Sequence, residues 1–397
     1  MGDSRATGWR PVSQRERCAA LDVLRGIALL GVLLVNLLDD FRISLAKHIL
    51  TFHTDPDCID RAVDVLIAGL AEFKAFSLFS LLFGSGLAIF SDRAAVRQVS
   101  AGHFLLRRLL VLLALGLIHM LLIWNGDILS LYAVCGLLFL PLLRLSTPLL
   151  AVAGGAAVVL SFVIPVGGLW PGEETLRRLA VEATRVYTRG SLAEVLAFHL
   201  RETRLLILPI LASSLLRTYG LMGLGAAACR AGVFREPQRH RGLLWAVALA
   251  GGIVGGSSTA VSVYSASTGD AIPIPQLLVE TCSFIPLALS YAAGLLLVLQ
   301  SPTAARALMP FAAAGQMALT NYLTQSVVLS FIFYGYGFGL HGRLGSAVAV
   351  VIGLVVYGLQ LILSRWWLSR FRFGAVEWLW RSITYGRRQP MRLATAL

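Results

Sequence analysis

About ten apolar stretches, most close to the roughly 17 to 25 residues that a helix needs to cross a bilayer, take up the larger part of this sequence. They run approximately Leu21–Leu38, Phe73–Phe90, Leu105–Ile123, Ile128–Leu143, Leu149–Val166, Leu205–Cys229, Leu243–Val263, Leu277–Leu299, Phe311–Tyr334 and Ala347–Leu363. A chain that is 57% hydrophobic and 14% charged over 397 residues is not a soluble globule of ordinary make-up. The expected fold class is all-α, a polytopic integral membrane protein. Residues 1–397 read as one membrane domain: a cytoplasmic tail at 1–20, a transmembrane bundle at 21–363 and an interfacial cytoplasmic tail at 364–397. In that last segment Trp366, Trp367, Trp378, Trp380 and Tyr385 alternate with arginines, the composition of a helix lying along a leaflet. The first stretch lacks a small-residue cleavage site and carries Asp22 and Arg25, so it reads as a retained helix and not as a signal peptide.

Basic residues crowd alternate loops. Arg5, Arg10, Arg15 and Arg17 precede the first stretch, and Arg93, Arg97, Arg107 and Arg108 lie between the second and third. Arg230, Arg235, Arg239 and Arg241 lie between the sixth and seventh, and Arg365, Arg370, Arg372, Arg387 and Arg388 follow the last. Both termini are therefore expected in the cytoplasm. The net charge of +13 is positive-inside topology with some attraction to anionic membrane lipids, and nucleic acid is not an expected partner. Five cysteines at positions 18, 58, 135, 229 and 282 have no paired spacing, so neither a zinc site nor a disulfide framework is indicated, and no metal is expected. The segment Glu173–Arg204 balances its arginines with glutamates and reads as amphipathic structure on the outer face.

Within the apolar stretches the polar exceptions carry the functional information. Arg25 sits inside the first, where a charge is costly unless it faces protein, water or an anion; the alternative is a side chain snorkelling from one turn inside the helix. Arg217, beside Ser213, Ser214 and Tyr219, is a second intramembrane cation. His119 falls near the outer end of the third stretch, and the turn Trp124-Asn125-Gly126-Asp127 leads straight into the fourth. Such a turn brings the histidine and Asp127 to one depth, where the pair reads as a general base with an orienting carboxylate, or else as a core histidine beside a helix cap. Gln316, Thr320, Asn321 and Thr324 share a helical face with Tyr322 and Gln325 at its flanks; the stripe is interhelical glue or the wall of a substrate path. Gly84-Ser85-Gly86 lies inside an apolar stretch with no strand before it and reads as close helix packing, not as a phosphate loop. His199 and Glu202 read as a solvated helix face.

Several blocks resemble a known family. Leu21-Asp22-Val23-Leu24-Arg25-Gly26-Ile27-Ala28 through Asn36, Phe76 through Gly86, His119 through Leu129, Met317 through Leu323 and Phe371 through Arg381 look like the YeiB-like bacterial membrane family, catalogued as domain of unknown function 418. The resemblance covers nearly the whole chain. It implies the broader group of transmembrane acyltransferases that includes heparan-alpha-glucosaminide N-acetyltransferase and the type-3 acyltransferases, whose first helix has a similar Leu-Arg-Gly opening. Where the type-3 enzymes place a histidine, eleven residues after that arginine, this chain has Asn36; the glucosaminide enzyme has asparagine there and a histidine in the first luminal loop, where this chain has His48 and His53. The expectation is an acyl-CoA-dependent acyltransferase, with acetyl-CoA the foremost co-substrate and a glycan, lipid or small molecule as acceptor. Arg25, Arg107 and Arg108 are expected to hold donor phosphates, His119 and Asp127 to do the chemistry, and Asn36, Trp124, Arg217, Asn321 and Tyr322 to bind substrate. A transporter or exporter without covalent chemistry is the alternative, Gly220, Gly223 and Gly225 being the nearest thing to a broken helix. A homodimer is left open.

Overall fold

The computed structural model describes residues 18–51, 57–96, 101–164, 169–268 and 276–393. The described residues are helical, joined by turns, with one isolated bridge between Phe371 and Arg392. In chain order the helices are α1 (Ala19–Asn36), α2 (Leu45–Thr51), α3 (Cys58–Leu70), α4 (Lys74–Val96), α5 (Ala101–Leu122), α6 (Leu129–Phe139), α7 (Thr147–Val163) and α8 (Glu173–Arg189). There follow α9 (Leu192–Glu202), α10 (Leu208–Arg230), α11 (Arg241–Thr268), α12 (Gln276–Val298), α13 (Pro302–Gln316), α14 (Ala318–Phe333), α15 (Ser346–Leu368) and α16 (Ala375–Tyr385). Among the described residues six segments can cross a membrane by length and composition: Ala19–Phe41, Cys58–Val96, Gly102–Leu122, Leu192–Arg230, Arg241–Ser265 and Ser346–Leu368. Four shorter apolar helices accompany them, at Leu129–Arg144, Thr147–Val163, Cys282–Val298 and Ala318–Phe333. The chain is an all-α membrane protein.

Small residues let these helices touch. A Cβ on Gly26 would overlap the Phe311 carbonyl, and one on Gly315 would overlap that of Asp22, so α1 and α13 meet backbone to backbone. Gly84 against Met222 and Gly225 against Leu81 do the same for α4 and α10, and the Ser85 hydroxyl donates to the Gly225 carbonyl at 2.9 Å. The Gly84-Ser85-Gly86 run is thus helix packing. Gly220 and Gly223 face Gly154 of α7 within a continuous α10.

Three local features shape the site. The expected single helix over Phe311–Tyr334 breaks at Met317 (φ −109°, ψ 26°), because the Glu377 carboxylate takes the Leu319 and Thr320 amides at 2.8 and 3.0 Å. In an unbroken helix those amides would bond the carbonyls four residues back. Burial raises the Glu377 pKa above the ordinary carboxyl value while these donors oppose the shift. The helix α16 docks on the bundle: Trp380 Nε1 donates to the Arg108 carbonyl at 2.8 Å and Glu377 is buried. Finally, a π turn at Leu37–Phe41 continues α1 and another at Thr203–Ile207 joins α9 to α10.

Candidate functional site

The helix α5 carries Arg108 near its start and His119 near its end, eleven residues apart, which is about 16 Å along the axis. A cavity of about 290 Å³ opens beside the first of these residues. Its mouth is lined by Arg25, Arg93, Arg108, Arg235 and Arg381, which come from five separate segments of the chain. Beyond them the wall is apolar, formed by Leu29, Phe79, Leu82, Phe83 and Leu112, and the far end is closed by Ile128, Tyr132 and Tyr322.

Arg25 is 29% exposed at its side chain and pairs with Asp22 at 3.1 Å on the cavity wall. Gly86 stands opposite, where a Cβ would meet Arg25 Nη2 at 3.6 Å, an ordinary van der Waals contact. Arg108 lies flat on Trp380, its guanidinium carbon 3.9 Å from the ring centroid. Five guanidinium groups line this one cavity, and each offers a fork that matches phosphate oxygens. Glu377 and Asp22 offset part of this charge.

Behind Tyr322 lies the histidine. The two ring centroids are 5.1 Å apart, and the Tyr322 hydroxyl sits 3.4 Å from the Ile128 amide and 3.5 Å from the Gly126 carbonyl. His119 Nδ1 is 2.9 Å from Asp127 Oδ1, with both side chains fully buried. The other carboxylate oxygen of Asp127 accepts the Ser130 amide at 2.7 Å in the first turn of α6. Asp127 therefore caps the helix and holds the ring at once. A carboxylate can only accept, so in the neutral ring Nδ1 carries the proton and the lone pair falls on Nε2, which is buried without a hydrogen-bond partner. That is the tautomer a general base needs.

The wall on the other side of His119 is polar in a way that sequence reasoning missed. Trp124, edge-on to the imidazole at 6.0 Å, donates Nε1–H to Asp40 at 2.7 Å and stacks on Phe41 at 5.0 Å. Asn125 donates to Glu202 Oε2 at 2.7 Å, and the Tyr187 hydroxyl donates to the same oxygen at 2.7 Å. His199 and Glu202 are 0% exposed, which overturns their reading as a solvated face. The physical reason is visible along α9: Val195, Phe198, His199 and Glu202 share one face, and that face is the buried one. Buried atoms here still lack hydrogen-bond partners, among them Asn125 Oδ1, Glu202 Oε1, both nitrogens of His199 and Thr203 Oγ1. Most are acceptors, a lining suited to hydroxyl or amine hydrogens.

The other expected site residues lie elsewhere. Arg107 does not line the cavity; it packs where a Cβ on Gly386 would approach within 3.0 Å of its guanidinium, at the end of α16. Arg217 bonds Ser214 at 3.4 Å and lies over Phe73 and Phe76, at 5.5 and 6.0 Å. Asn36 ends α1, half-buried and outside the lining residues. The polar stripe divides: Gln316 and Tyr322 face the cavity, while Asn321 donates to Ser364 at 2.9 Å and Gln325 to Gln360 at 2.8 Å, gluing α14 to α15. His48 lies near Asp39, at 3.6 Å, and His53 lies outside the described residues.

A family model described as a protein of unknown function (DUF418) matches residues 228–387. The uncharacterized protein YxaH of Bacillus subtilis is 32% identical over 413 aligned residues, covering 97% of this chain and 98% of its own length. An uncharacterized 39.9 kDa protein encoded in the amylase 3′ region of Bacillus acidopullulyticus is 30% identical over 96% of this chain and 98% of itself. The uncharacterized protein YeiB of Escherichia coli is 27% identical over 93% of this chain and 96% of itself. Likeness that runs end to end through bacterial relatives, together with the matched family model, makes this chain a member of the YeiB-like DUF418 family.

Proposed function

We propose that this protein is an acyl-CoA-dependent acyltransferase of the bacterial inner membrane, with about ten spans and both termini in the cytoplasm. The observation that carries the reading is the cavity itself, with five arginines at one end and Tyr322, backed by the His119–Asp127 pair, at the other. The arginines suit the phosphates of a coenzyme A donor, and the apolar wall suits its extended arm and acyl group. Arg93, Arg108, Arg235 and Arg381 also belong to the segments that the charge bias assigns to the cytoplasm, where acyl-CoA is made.

The chemistry follows from the orphaned nitrogen. His119 Nε2 removes a proton from an acceptor hydroxyl or amine as the acceptor attacks the thioester carbonyl. The carbon–sulfur bond breaks, and the imidazolium returns the proton to the departing thiolate. Asp127 stabilises the charged ring in between. The acceptor meets His119 from the Glu202 side, where unpaired acceptors await its hydrogens. Tyr322 separates the donor cavity from the base, so its ring swings aside when the thioester arrives.

Purified protein in detergent should bind acetyl-CoA in calorimetry and release thiol from it. Absence of both, with intact protein by gel filtration, would refute the donor assignment. Binding without thiol release, combined with substrate efflux from proteoliposomes, would favour an exporter.

A further inference from the structure

Asp39, His48 and Glu72 come together from three elements at the end of the bundle opposite the arginine-lined mouth. Asp39 stands on the π turn that follows α1, His48 in the last turn of α2, and Glu72 in the turn between α3 and α4. One ligand atom from each lies within 4.8 Å of the other two, and all three residues are half-buried. His48 Nε2 and Asp39 Oδ1 are 3.6 Å apart. That is too long for a good hydrogen bond, and close to the roughly 3.3–3.6 Å between two ligands of a tetrahedral ion with bonds of about 2.0–2.2 Å.

Two cations stand near the cluster, Arg42 acting on Asp39 and Lys74 on Glu72. Arg42 reaches Asp64 at 3.4 Å, and Asp64 also accepts the Ser346 hydroxyl at 2.6 Å. The Lys74 ammonium donates to the Ala68 carbonyl at 2.9 Å and lies over Phe284.

We propose that Asp39, His48 and Glu72 bind a zinc-class divalent cation, with the fourth tetrahedral position open to water. One imidazole with two carboxylates suits zinc better than calcium or magnesium, which prefer all-oxygen shells of higher coordination number. The site is tied to the chemistry of the bundle through a single peptide bond. Asp40, the next residue, accepts Trp124 Nε1–H at 2.7 Å and the Leu45 amide at 3.2 Å. An ion on Asp39 fixes the π turn, and the turn fixes the brace that holds Trp124 against His119.

The test needs no substrate. Tag-free protein in detergent, stripped with a chelator and dialysed against zinc, should take up about one zinc per chain by elemental analysis, and zinc should raise its melting temperature. His48→Ala and Glu72→Gln should each weaken zinc affinity at least about tenfold, since loss of an outer-shell partner alone commonly costs that much. Glu72 lies in a turn, so its variant keeps the test open should His48→Ala elute as aggregate. Failure of wild type to take up zinc saturably, or undiminished uptake by the double variant, would overturn the site. Uptake of calcium or magnesium in place of zinc would overturn its ligand class.

Discussion

Asp127→Asn is the sharpest probe of the proposed chemistry, because the two oxygens of Asp127 have different duties. One accepts from His119 Nδ1 at 2.9 Å and the other from the Ser130 amide at 2.7 Å. An asparagine has one acceptor oxygen and one amide donor. If the oxygen stays on Ser130, the amide faces His119 Nδ1 and forces that nitrogen to accept. The ring proton then moves to Nε2, and the base loses its lone pair. The opposite orientation sets two donors against each other at Ser130 in a buried site, at a cost of about 1–3 kcal/mol. Since 1.4 kcal/mol is tenfold, that preference alone leaves between about one in five and one in 150 molecules with a competent base. Loss of the carboxylate charge beside the imidazolium adds to this, and the same change in hydrolase triads costs about 10⁴-fold. The expected fall in thiol release from acetyl-CoA is therefore roughly 10²- to 10⁴-fold. The helix cap survives, so melting temperature should move by only a few degrees. A loss under tenfold in well-folded Asp127→Asn would refute the reasoning, and His119→Ala losing no activity would remove the histidine from the mechanism.

Arg25→Ala should weaken coenzyme A binding by about 10- to 150-fold in calorimetry, the value of one or two charge-assisted hydrogen bonds, and Arg25→Lys should recover only part of it because the fork is lost. Glu202→Leu strips the acceptor from Asn125 and Tyr187 and should cost about 2–6 kcal/mol at about 1–3 kcal/mol per buried orphan, read as a large drop in melting temperature; Glu202→Gln, which keeps an oxygen, should cost much less. His341, whose Nδ1 donates to the Phe41 carbonyl at 2.9 Å, has its pKa lowered by burial to about 4. Its folded-state value lies below the unfolded one, so the stability it contributes is full above pH 6.5 and is lost as pH falls toward 4; His341→Asn should flatten that part of a melting-temperature profile. Reporter fusions after Gln238 and Arg388 should report cytoplasm, and an outside signal at Gln238 would invert the proposed topology.

What the sequence discloses depends on how far apart the partners are along it. The helices are legible because an apolar run of sufficient length is its own evidence, and His119 with Asp127 is legible because the Asn125-Gly126 turn holds both within nine residues. Glu202 is not, since its partners Asn125 and Tyr187 are 77 and 15 residues away and its charged neighbours Arg201 and Arg204 imitate a wet surface. The break at Met317 is equally hidden, because it depends on a carboxylate 57 and 58 residues downstream that intercepts two amides. The arginine mouth poses a subtler problem. Arg93, Arg235 and Arg381 carry the same charge bias that sets orientation, so a topology rule accounts for them fully before any site is considered. Only the fold separates the two uses: Arg107 and Arg108 are adjacent in sequence, yet Arg108 lines the cavity on Trp380 and Arg107 packs against the end of α16. Replacing Arg108 with lysine should therefore preserve the charge bias that orients the chain while removing the planar group that stacks on Trp380, so a binding defect in that variant without inverted topology isolates the site from the signal that masks it.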